Sequence, residues 1–315
     1  MKALILSAGF GTRLRPVTHH IPKPLLPVGN ITLLDFHIRR LADAGIKEIV
    51  INTHHLHRKV KRYLARSKHK GVRLHVLFEK RILGTGGAIK NAEKILRGSP
   101  FVVVNSDVVY DFDLGKIIKA HARSSGIATM VLRETGVKAL QRVKIEKGYV
   151  VSIGRSFPSE KGRRKLFTGI HVINPDIFRY MPKAAFFCIN SDVYRDVLHT
   201  KDRIKAYLAS GYWQDMGLPE NYFAVWKDFL KKKAPKLFYK KMKGKIYRSS
   251  YVEKGAAVSR EAVLGPNAVL LSGVRVAREA AVRNSILLPG THVRKGEVVS
   301  CQIRYKKSVL SFSHE

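Results

Sequence analysis

Short apolar runs alternate with amphipathic stretches over the first two thirds of the chain. The runs have the length of buried strands, and the stretches between them place apolar residues at helical spacing. The predicted strands are Lys2–Ser7, Glu48–Asn52, Arg73–Phe78 and Phe101–Asn105, and the predicted helices are 33–44, 59–65 and 88–96. Strands separated by helices in this way favour a parallel sheet covered on both faces, so we expect an α/β fold.

The pattern changes after about residue 230. Residues 231–248 carry nine basic side chains and no acidic one, which predicts a basic linker. From 249 to 315, an apolar position recurs about every six residues among small and polar ones, with Gly and Pro between the steps. Short β-branched steps at this period favour a β-helix whose turns stack on one another. A small antiparallel β domain is the alternative interpretation.

The charge and the cysteines narrow the class of protein. The chain has 59 Lys and Arg against 23 Asp and Glu, a formal net charge of +36, which attracts nucleic acid, anionic lipid or phosphorylated small molecules. Cys188 and Cys301 lack the spacing of a disulfide framework or a zinc site. No apolar run approaches the length of a signal-peptide core or a membrane span. We therefore expect a cytoplasmic protein without membrane insertion.

A loop that combines glycine with positive charge follows the first predicted strand. Residues 7–15 read SAGFGTRLR, in which Gly9 and Gly11 leave backbone amides open to phosphate oxygens and Arg13 adds a fixed charge. The loop has neither the lysine of a P-loop nor the third glycine of a dinucleotide fingerprint. About ten residues later, three prolines stiffen the segment around Lys23. A tight turn and a surface lysine are the alternative interpretations.

Five motifs in this order resemble those of the sugar-1-phosphate nucleotidylyltransferases. They read AGFGTRLRPVTHHIPKPL at 8–25, ILGTGGAIKNA at 82–92, VVNSDVVYDFDL at 103–114, TGIHVI at 168–173 and YWQDMGLPENY at 212–222. The resemblance covers residues 1 to about 228. It implies a Rossmann-like, mostly parallel sheet of the nucleotide-diphospho-sugar transferase type in residues 1–230 and, after the basic linker at 231–248, a short left-handed β-helix of hexapeptide repeats at 249–315.

The reaction that the resemblance implies is nucleotidyl transfer. An oxygen of a sugar-1-phosphate attacks the α-phosphorus of an NTP, and pyrophosphate leaves. GTP with a mannose-like sugar phosphate is the first expectation. The alternatives are uridylyl or thymidylyl transfer to another sugar-1-phosphate, such as that of N-acetylmuramate or glucose, and a catalytically silent regulator that binds nucleotide sugars. No nucleic-acid partner is expected, and a homo-oligomer formed through the C-terminal domain is expected.

The resemblance also assigns roles to single residues. Arg13, at the departing phosphates, and Lys23, at the α-phosphate and the sugar phosphate, are the implied catalytic residues. Asp107, which follows an apolar strand, and Asp215 would hold Mg²⁺. The implied nucleotide-binding residues are Ala8, Gly9, Gly11, Thr12, Glu79, Gly84 and Thr85. The implied sugar-binding residues are Gly87, Arg155, Thr168 and Gly169.

The chain departs from the family pattern where many members carry an E-K-P segment whose lysine contacts the sugar phosphate. Residues 150–158 read VVSIGRSFP, with Arg155 nearest the expected place. Arg155 or a residue of the run KGRRK at 161–165 would replace that lysine, and a solvated basic loop is the alternative for the run. In lacking the E-K-P segment and in the residues VNSDV, the chain also resembles the N-acetylmuramate-1-phosphate uridylyltransferase branch. The resemblance therefore does not decide which base and which sugar the protein binds.

Overall fold

The computed structural model describes residues 1–134, 142–154, 165–240 and 242–313 of the chain. By internal contacts the chain forms two compact units, one of Met1–Gly9 with His37–Trp213 and the other of Phe10–Phe36 with Gln214–Glu315. We call them unit 1 and unit 2. No helix in the described ranges combines the length and the apolar character that crossing a bilayer requires.

The described strands follow in chain order. They are β1 (Lys2–Leu6), β2 (Pro27–Val28), β3 (Ile31–Thr32), β4 (Glu48–Thr53), β5 (Arg73–Phe78), β6 (Phe101–Asn105), β7 (Val108–Tyr110), β8 (Ala128–Glu134), β9 (Arg142–Glu146), β10 (Tyr149–Gly154), β11 (Lys165–Ile173), β12 (Ile204–Leu208), β13 (Trp213–Asp215), β14 (Gly244–Tyr247), β15 (Ser250–Glu253), β16 (Ala257–Val258), β17 (Val263–Leu264), β18 (Ala268–Leu270), β19 (Arg275–Val276), β20 (Ala281–Arg283), β21 (Ser285–Leu287), β22 (His292–Val293), β23 (Val298–Ser300), β24 (Gln302–Tyr305) and β25 (Ser308–Ser311).

The helices are of three kinds. The α-helices are α1 (Leu33–Asp43), α2 (His57–Arg66), α3 (Gly84–Asn91), α4 (Glu93–Leu96), α5 (Leu114–Ala122), α6 (Arg195–Val197) and α7 (Pro219–Leu230). The 3-10 helices are Thr12–Leu14, Val17–His19, Lys23–Leu25, Pro175–Tyr180 and Lys236–Tyr239, and a π-helix spans Ile189–Tyr194. The helix predicted at 88–96 is in fact the pair α3 and α4. The first of these begins early because Gly84, at φ +73°, lets the chain turn into it.

Unit 1 is built on a nine-stranded sheet in the order β5-β4-β1-β6-β11-β8-β12-β10-β9. The first four strands are parallel, and helices connect them along the chain, as the apolar runs predicted. Beyond them the sheet is mixed: β11 runs antiparallel to both β6 and β8, and β9, β10 and β12 continue with a single parallel pair, β12 with β8. The expectation of a mostly parallel sheet is therefore correct for β5, β4, β1 and β6, whereas β12 with β8 is the one parallel pair among the later described strands. Parallel pairing needs a crossover connection, which a strand that follows its neighbour directly does not have.

The carboxyl ends of the central strands lie at one edge of this sheet. Leu6, the last residue of β1, is in register with Asn52 of β4 on one side and with Asn105 of β6 on the other. The backbone N–H of Ser106 donates to the carbonyl oxygen of Leu6 at 3.0 Å, which continues the alignment beyond β6. Ligands of open α/β sheets bind at this edge. A ligand site is therefore expected at the chain segments that leave β1, β4 and β6.

The C-terminal part of unit 2 consists of short parallel strands in three sheets. These are β15-β18-β21-β24, flanked by the antiparallel strands β14 and β25, then β16-β19-β22, and then β17-β20-β23. Paired residues are 17 or 18 positions apart, as in the ladder Ala257, Arg275 and His292. The side chains of one apolar cluster, which includes Leu270, Val282 and Leu287, fill the interior. Parallel strands of this kind are compatible with the predicted β-helix.

Part of the basic segment at 231–248 is packed into unit 2. Leu237 and Phe238 are buried in a 3-10 helix, and the ring of Phe238 stacks on that of Phe36 with centroids 5.0 Å apart. The amide of Asn30 donates to the carbonyl oxygen of Lys240 at 2.8 Å. This segment therefore contributes to the core of unit 2. The domain boundaries at residues 230 and 249 stay a prediction.

Candidate active site

In unit 1 the loop after β1 is tied to the end of β4. The backbone N–H of Ser7 donates to the side-chain oxygen of Asn52 at 2.7 Å, and the Ser7 hydroxyl donates to the Asn52 carbonyl oxygen. Ala8 is buried and Gly9 is exposed. A Cβ at Gly9 would find no atom within 4 Å, so the backbone there is open on that side. The loop thus has a fixed start and an accessible glycine, which suits an anion at the edge of the sheet.

Glu79 joins this loop to the glycine-rich segment that follows. One of its carboxylate oxygens accepts a 2.7 Å hydrogen bond from the amide of Asn52, and the other accepts from the backbone N–H of Leu83 at 3.2 Å. Glu79 is only 2% exposed. Burial raises the pKa of its carboxyl, and the bonds from Asn52 and Leu83 oppose that shift. Because both oxygens have protein donors, Glu79 holds the two loops together.

The glycines of the ILGTGGAIKNA motif pack closely on another segment of unit 1. A Cβ at Gly84 would collide with the carbonyl oxygen of Phe187, and one at Gly87 would lie 2.7 Å from the carbonyl oxygen of Ala185. Thr85 accepts from the backbone N–H of Ile189 at 3.0 Å. The atoms that exclude side chains at these glycines therefore belong to the protein itself. Room for a close substrate is not needed to explain Gly84 or Gly87.

Thr168 and Gly169 occupy an irregularity in β11, where the register with β8 shifts between Phe167 and His171. Thr168 is fully buried, and its hydroxyl donates to the carbonyl oxygen of Val131 at 2.7 Å. Gly169 has φ +80°, and a Cβ there would lie 2.8 Å from the amide nitrogen of Asn105. Both residues thus lie beside the end of β6, at the edge described above. The Thr168 carbonyl oxygen accepts a 3.0 Å hydrogen bond from Nε1 of Trp213, so this part of β11 is held by protein contacts.

Asp107 follows β6 by two residues and is partly exposed. His37, which no motif singled out, is fully buried nearby, and its ring lies 5.9 Å from that of Tyr110. Burial lowers the pKa of His37 to about 4, against the opposing influence of the Ser106 backbone and the Asp107 carboxylate. The only signal in the sequence is a histidine among the apolar positions of the predicted helix at 33–44.

We call the loop at residues 7–15 the signature loop. In unit 2, its part from Phe10 onward is held in place by the 3-10 helix that follows it, Val17–His19. Gly11 has φ +64°, and a Cβ there would meet the methyl group of Thr18 at 3.0 Å and the Cβ of Lys23 at 3.5 Å. The hydroxyl of Thr18, which is fully buried, donates to the Gly11 carbonyl oxygen at 2.8 Å. The structure thus brings together Gly11 and Lys23, which the sequence placed in one site.

Arg13 and Asp215 meet at Gly217 in the same unit. A Cβ on Gly217 would lie 2.7 Å from Nη2 of Arg13 and 3.0 Å from Oδ1 of Asp215. The backbone N–H of Gly217 donates to that Asp215 oxygen at 2.6 Å, which fixes the carboxylate. Thr12 and Arg13 are themselves exposed. This pairs a cation of the first motif with a carboxylate of the last, more than 200 positions along the chain.

Arg155 and positions 161–164 of the KGRRK run lie outside the described residues. Within the described ranges, no group of three or more His, Cys, Asp or Glu side chains is arranged to hold a metal ion. Asp107 belongs to unit 1 and Asp215 to unit 2.

Comparison with known proteins points to one family. The family model described as "Nucleotidyl transferase" matches residues 2–232. A protein of Oryza sativa subsp. japonica named probable mannose-1-phosphate guanylyltransferase 1 is 29% identical, over 96% of this chain and 85% of its own length. The mannose-1-phosphate guanylyltransferase of Mycobacterium tuberculosis is 27% identical, over 94% of this chain and 82% of its own.

A solved structure gives the same answer for the fold. The structure of HddC from Yersinia pseudotuberculosis complexed with GMP-PN is similar with a TM-score of 0.59 and 26% identity. The similarity covers 71% of this chain and 96% of that one. The similarity therefore extends over nearly the whole of the HddC chain.

Proposed function

We propose that this chain, which belongs to the nucleotidyl transferase family and is a sugar-1-phosphate nucleotidylyltransferase, uses GTP and mannose-1-phosphate as its substrates. The relatives named mannose-1-phosphate guanylyltransferase support both substrates. The GMP-PN in the HddC complex supports a guanine nucleotide.

In the proposed reaction an oxygen of mannose-1-phosphate attacks the α-phosphorus of GTP. The bond from that phosphorus to the oxygen bridging to the β-phosphate breaks, and the products are GDP-mannose and pyrophosphate. The incoming phosphate is itself the nucleophile, so no covalent enzyme intermediate is needed. Negative charge grows on the α-phosphoryl oxygens and on the leaving group. The protein must therefore place cations and amides at these positions and hold two anions against each other.

Arg13 is the residue assigned to the leaving pyrophosphate, and Lys23 to the α-phosphate and the sugar phosphate. The observation that carries this assignment is the exposed Arg13 guanidinium held beside Gly217 and the fixed carboxylate of Asp215. A planar guanidinium binds two phosphate oxygens at once. The Cβ of Lys23 lies beside Gly11. The compact ammonium of Lys23 suits a point contact with an oxygen shared between two phosphates.

The nucleotide is assigned to the glycine loops of the family motifs. The backbone of Ala8, Gly9, Gly11 and Thr12 would contact its phosphates, and Gly84 and Thr85 would lie near the base. Glu79 would act on the base through the loops that it joins, because its two oxygens already accept from Asn52 and Leu83.

The sugar is assigned to the backbone around Thr168 and Gly169, with Gly87 and Arg155 as further contacts. Support for the first pair is their position at the carboxyl edge of the sheet, beside Asn105. Arg155 is proposed from the sequence alone, in place of the family's lysine.

Mg²⁺ is the cofactor proposed for the two aspartates. Carboxylate oxygens are the donors that this ion prefers, and it keeps several waters and phosphate oxygens in its shell. Asp107 and Asp215 each offer such oxygens, which supports their assignment to the ion. When bound, Mg²⁺ would neutralise charge on the phosphates. Asp215 is oriented for this by the N–H of Gly217.

The proposal extends to the rest of the chain. The parallel strands after residue 249 would form a left-handed β-helix of hexapeptide repeats, following the linker at 231–248 and the catalytic domain at 1–230. That region would support a homo-oligomer. A cytoplasmic location agrees with Cys188 and Cys301, which are both free thiols.

A substrate panel tests the proposal. The protein is incubated with Mg²⁺, one of GTP, UTP or dTTP, and one of several sugar-1-phosphates, and pyrophosphate release is measured. We expect GTP with mannose-1-phosphate to give the highest kcat/KM. A preference for UTP or dTTP would contradict the assigned substrates and keep the reaction. Silence over the whole panel, with nucleotide-sugar binding intact, would contradict the reaction and indicate a regulator.

A further inference from the structure

We propose that strands β24 and β25 position the segment of residues 11–23, which carries Arg13 and Lys23. These two strands would then be needed to hold the catalytic residues in place. The proposal rests on the function proposed above, because it takes Arg13 and Lys23 as the catalytic residues. All the contacts that carry it lie within unit 2, which groups Phe10–Phe36 with Gln214–Glu315.

The first contact is between the C-terminal hairpin and the turn after the signature loop. Strands β24 and β25 pair antiparallel, and both lie against the 3-10 helix Val17–His19. The ring of His20, at the end of that helix, lies 5.7 Å from the ring of Tyr305, the last residue of β24. Val17 and Thr18 are buried. The hairpin therefore covers this turn of the chain on one side.

The 3-10 helix Val17–His19 is in turn connected to the segment that carries the catalytic residues. Thr18, within the 3-10 helix, donates its hydroxyl hydrogen to the Gly11 carbonyl oxygen at 2.8 Å. Gly11 packs on Thr18 and Lys23, and its left-handed conformation directs the chain into the turn that carries Arg13. A shift of Val17–His19 would therefore move Gly11, and with it the residues on either side.

A third contact ties the end of the chain to the segment that follows Asp215. The ring of Phe312, just after β25, packs against Phe223 of α7 with centroids 4.8 Å apart. The hydroxyl of Tyr222, the preceding residue, donates to the Pro27 carbonyl oxygen at 2.7 Å. The chain end thus contacts both the turn near Arg13 and the helix that begins just after Gly217.

By these contacts the C-terminal strands would hold the Arg13 loop in position, which is a role separate from the association of subunits. Misplacing a catalytic group by about 1 Å can cost two orders of magnitude in rate. Because Arg13 and Lys23 act on charge that develops in the transition state, a loosened loop should lower kcat. A region that served only for association would leave the Arg13 loop unchanged when its contacts to Val17–His20 are removed.

The test compares four single variants of the full chain. Tyr305→Ala and His20→Ala remove the ring contact from either side, and His20 is an exposed residue whose loss does not threaten the core. Tyr305→Phe keeps the ring. Tyr247→Ala is the matched control, because this tyrosine lies in the same unit and is 69% exposed. Circular dichroism checks that each variant is folded.

Two readouts are taken on each variant. The first is hydrogen–deuterium exchange of the loop amides, among which those of Leu14, His20 and Ile21 donate to carbonyl oxygens within the turns. The second is kcat and KM for pyrophosphate release. We expect Tyr305→Ala and His20→Ala to exchange these amides roughly tenfold faster and to lose about tenfold in kcat. Tyr305→Phe and Tyr247→Ala should match the wild type in both.

The two readouts separate this proposal from the one on which it rests. Unchanged exchange of the loop amides in folded Tyr305→Ala and His20→Ala would overturn it, whatever the activity. Faster exchange with unchanged kcat would also overturn it, because the loop would then move without consequence. Faster exchange in a protein whose wild type releases no pyrophosphate would support the contact between hairpin and loop and overturn the proposed function.

Discussion

The amide of Asn52 donates a 2.7 Å hydrogen bond to the buried carboxylate of Glu79, 27 positions along the chain. This bond joins the end of β4 to the segment before α3, and Asn52 also accepts a hydrogen bond from the backbone N–H of Ser7, just after β1. Two loops assigned to the nucleotide are thus fixed to one another before any ligand is bound. Such preorganisation lowers the cost of binding and of transition-state stabilisation.

The first prediction concerns the strength of this bond. Replacing Asn52 by Ala leaves a buried carboxylate oxygen without its donor, so we expect Asn52→Ala to lower the free energy of unfolding by about 1–3 kcal/mol. A double-mutant cycle with Glu79→Ala, followed by urea unfolding, measures the coupling between the two side chains. Additive effects of the two substitutions would show that the bond contributes nothing to stability.

The second prediction uses the space around Gly217. A Cβ there would lie 2.7 Å from Nη2 of Arg13, which is the far end of a flexible side chain. Gly217→Ala should therefore leave the fold intact, displace the guanidinium and lower kcat by about tenfold. Steady-state kinetics of pyrophosphate release and thermal unfolding measure the two effects.

The control for this prediction is the same substitution in an Arg13→Ala background. There the added methyl group has no guanidinium to displace, so we expect Gly217→Ala to cause little further loss. Equal losses in both backgrounds would mean that Gly217 acts through another group, such as the neighbouring carboxylate of Asp215.

The third prediction concerns Asp107. As a proposed Mg²⁺ ligand at the end of β6, it should be essential for turnover but not for folding, because it is partly exposed. We expect Asp107→Asn to lower kcat by about two to three orders of magnitude and to leave the thermal unfolding midpoint near that of the wild type. Activity equal to the wild type at every Mg²⁺ concentration would remove Asp107 from the mechanism.

The fourth prediction is a pH dependence of stability that arises at His171. Burial lowers the pKa of this histidine to about 3, and its Nδ1 lies 2.6 Å from the Tyr194 hydroxyl. In the unfolded chain the pKa is about 6.5. Between these values the unfolded state binds a proton that the folded state does not. His171 should therefore lower the free energy of unfolding as pH falls from about 6.5, by about 1.4 kcal/mol per pH unit.

Urea unfolding between pH 5 and pH 7 measures this dependence, with His171→Leu for comparison. The variant loses a hydrogen-bonding partner of Tyr194, so it should be less stable at pH 7. The decline toward pH 5 should nevertheless be shallower than in the wild type, because one proton uptake is gone. Parallel profiles for the two proteins would contradict the burial argument.

Local sequence patterns predicted the part of the fold in which strand and helix alternate. The runs at β1, β4, β5 and β6 are apolar enough for a sheet covered on both faces, and their helical connections imply parallel order. The direction of β11 could not be predicted in the same way. Its segment GIHVI, at 169–173, is an apolar run that suits a parallel or an antiparallel strand equally well. The direction is decided by the neighbouring strands, and β11 is antiparallel to β6.

In the candidate site, too, local sequence patterns predicted single residues but not the contacts between distant segments. Gly11, Arg13, Lys23 and Asp107 stand out because their local context signals chemistry: glycine with charge, a lysine among prolines, an acid at a strand end. The link from Asn52 to Glu79 and the packing of Gly84 on Phe187 join residues far apart in sequence. No local pattern contains such contacts. For the link from Asn52 to Glu79, the only sequence signal is that Asn52 is a polar residue at the end of an apolar strand.

Phosphorus NMR of one reaction mixture tests the central claim most directly, because it follows every phosphate at once. The wild-type protein, Mg²⁺, GTP and mannose-1-phosphate are mixed, with Arg13→Ala as a parallel sample. The account predicts that GTP and mannose-1-phosphate signals decline together, while the signals of GDP-mannose and pyrophosphate grow in equal amounts, far more slowly in the variant. Release of inorganic phosphate with mannose-1-phosphate unconsumed, or equal rates in both samples, would contradict it.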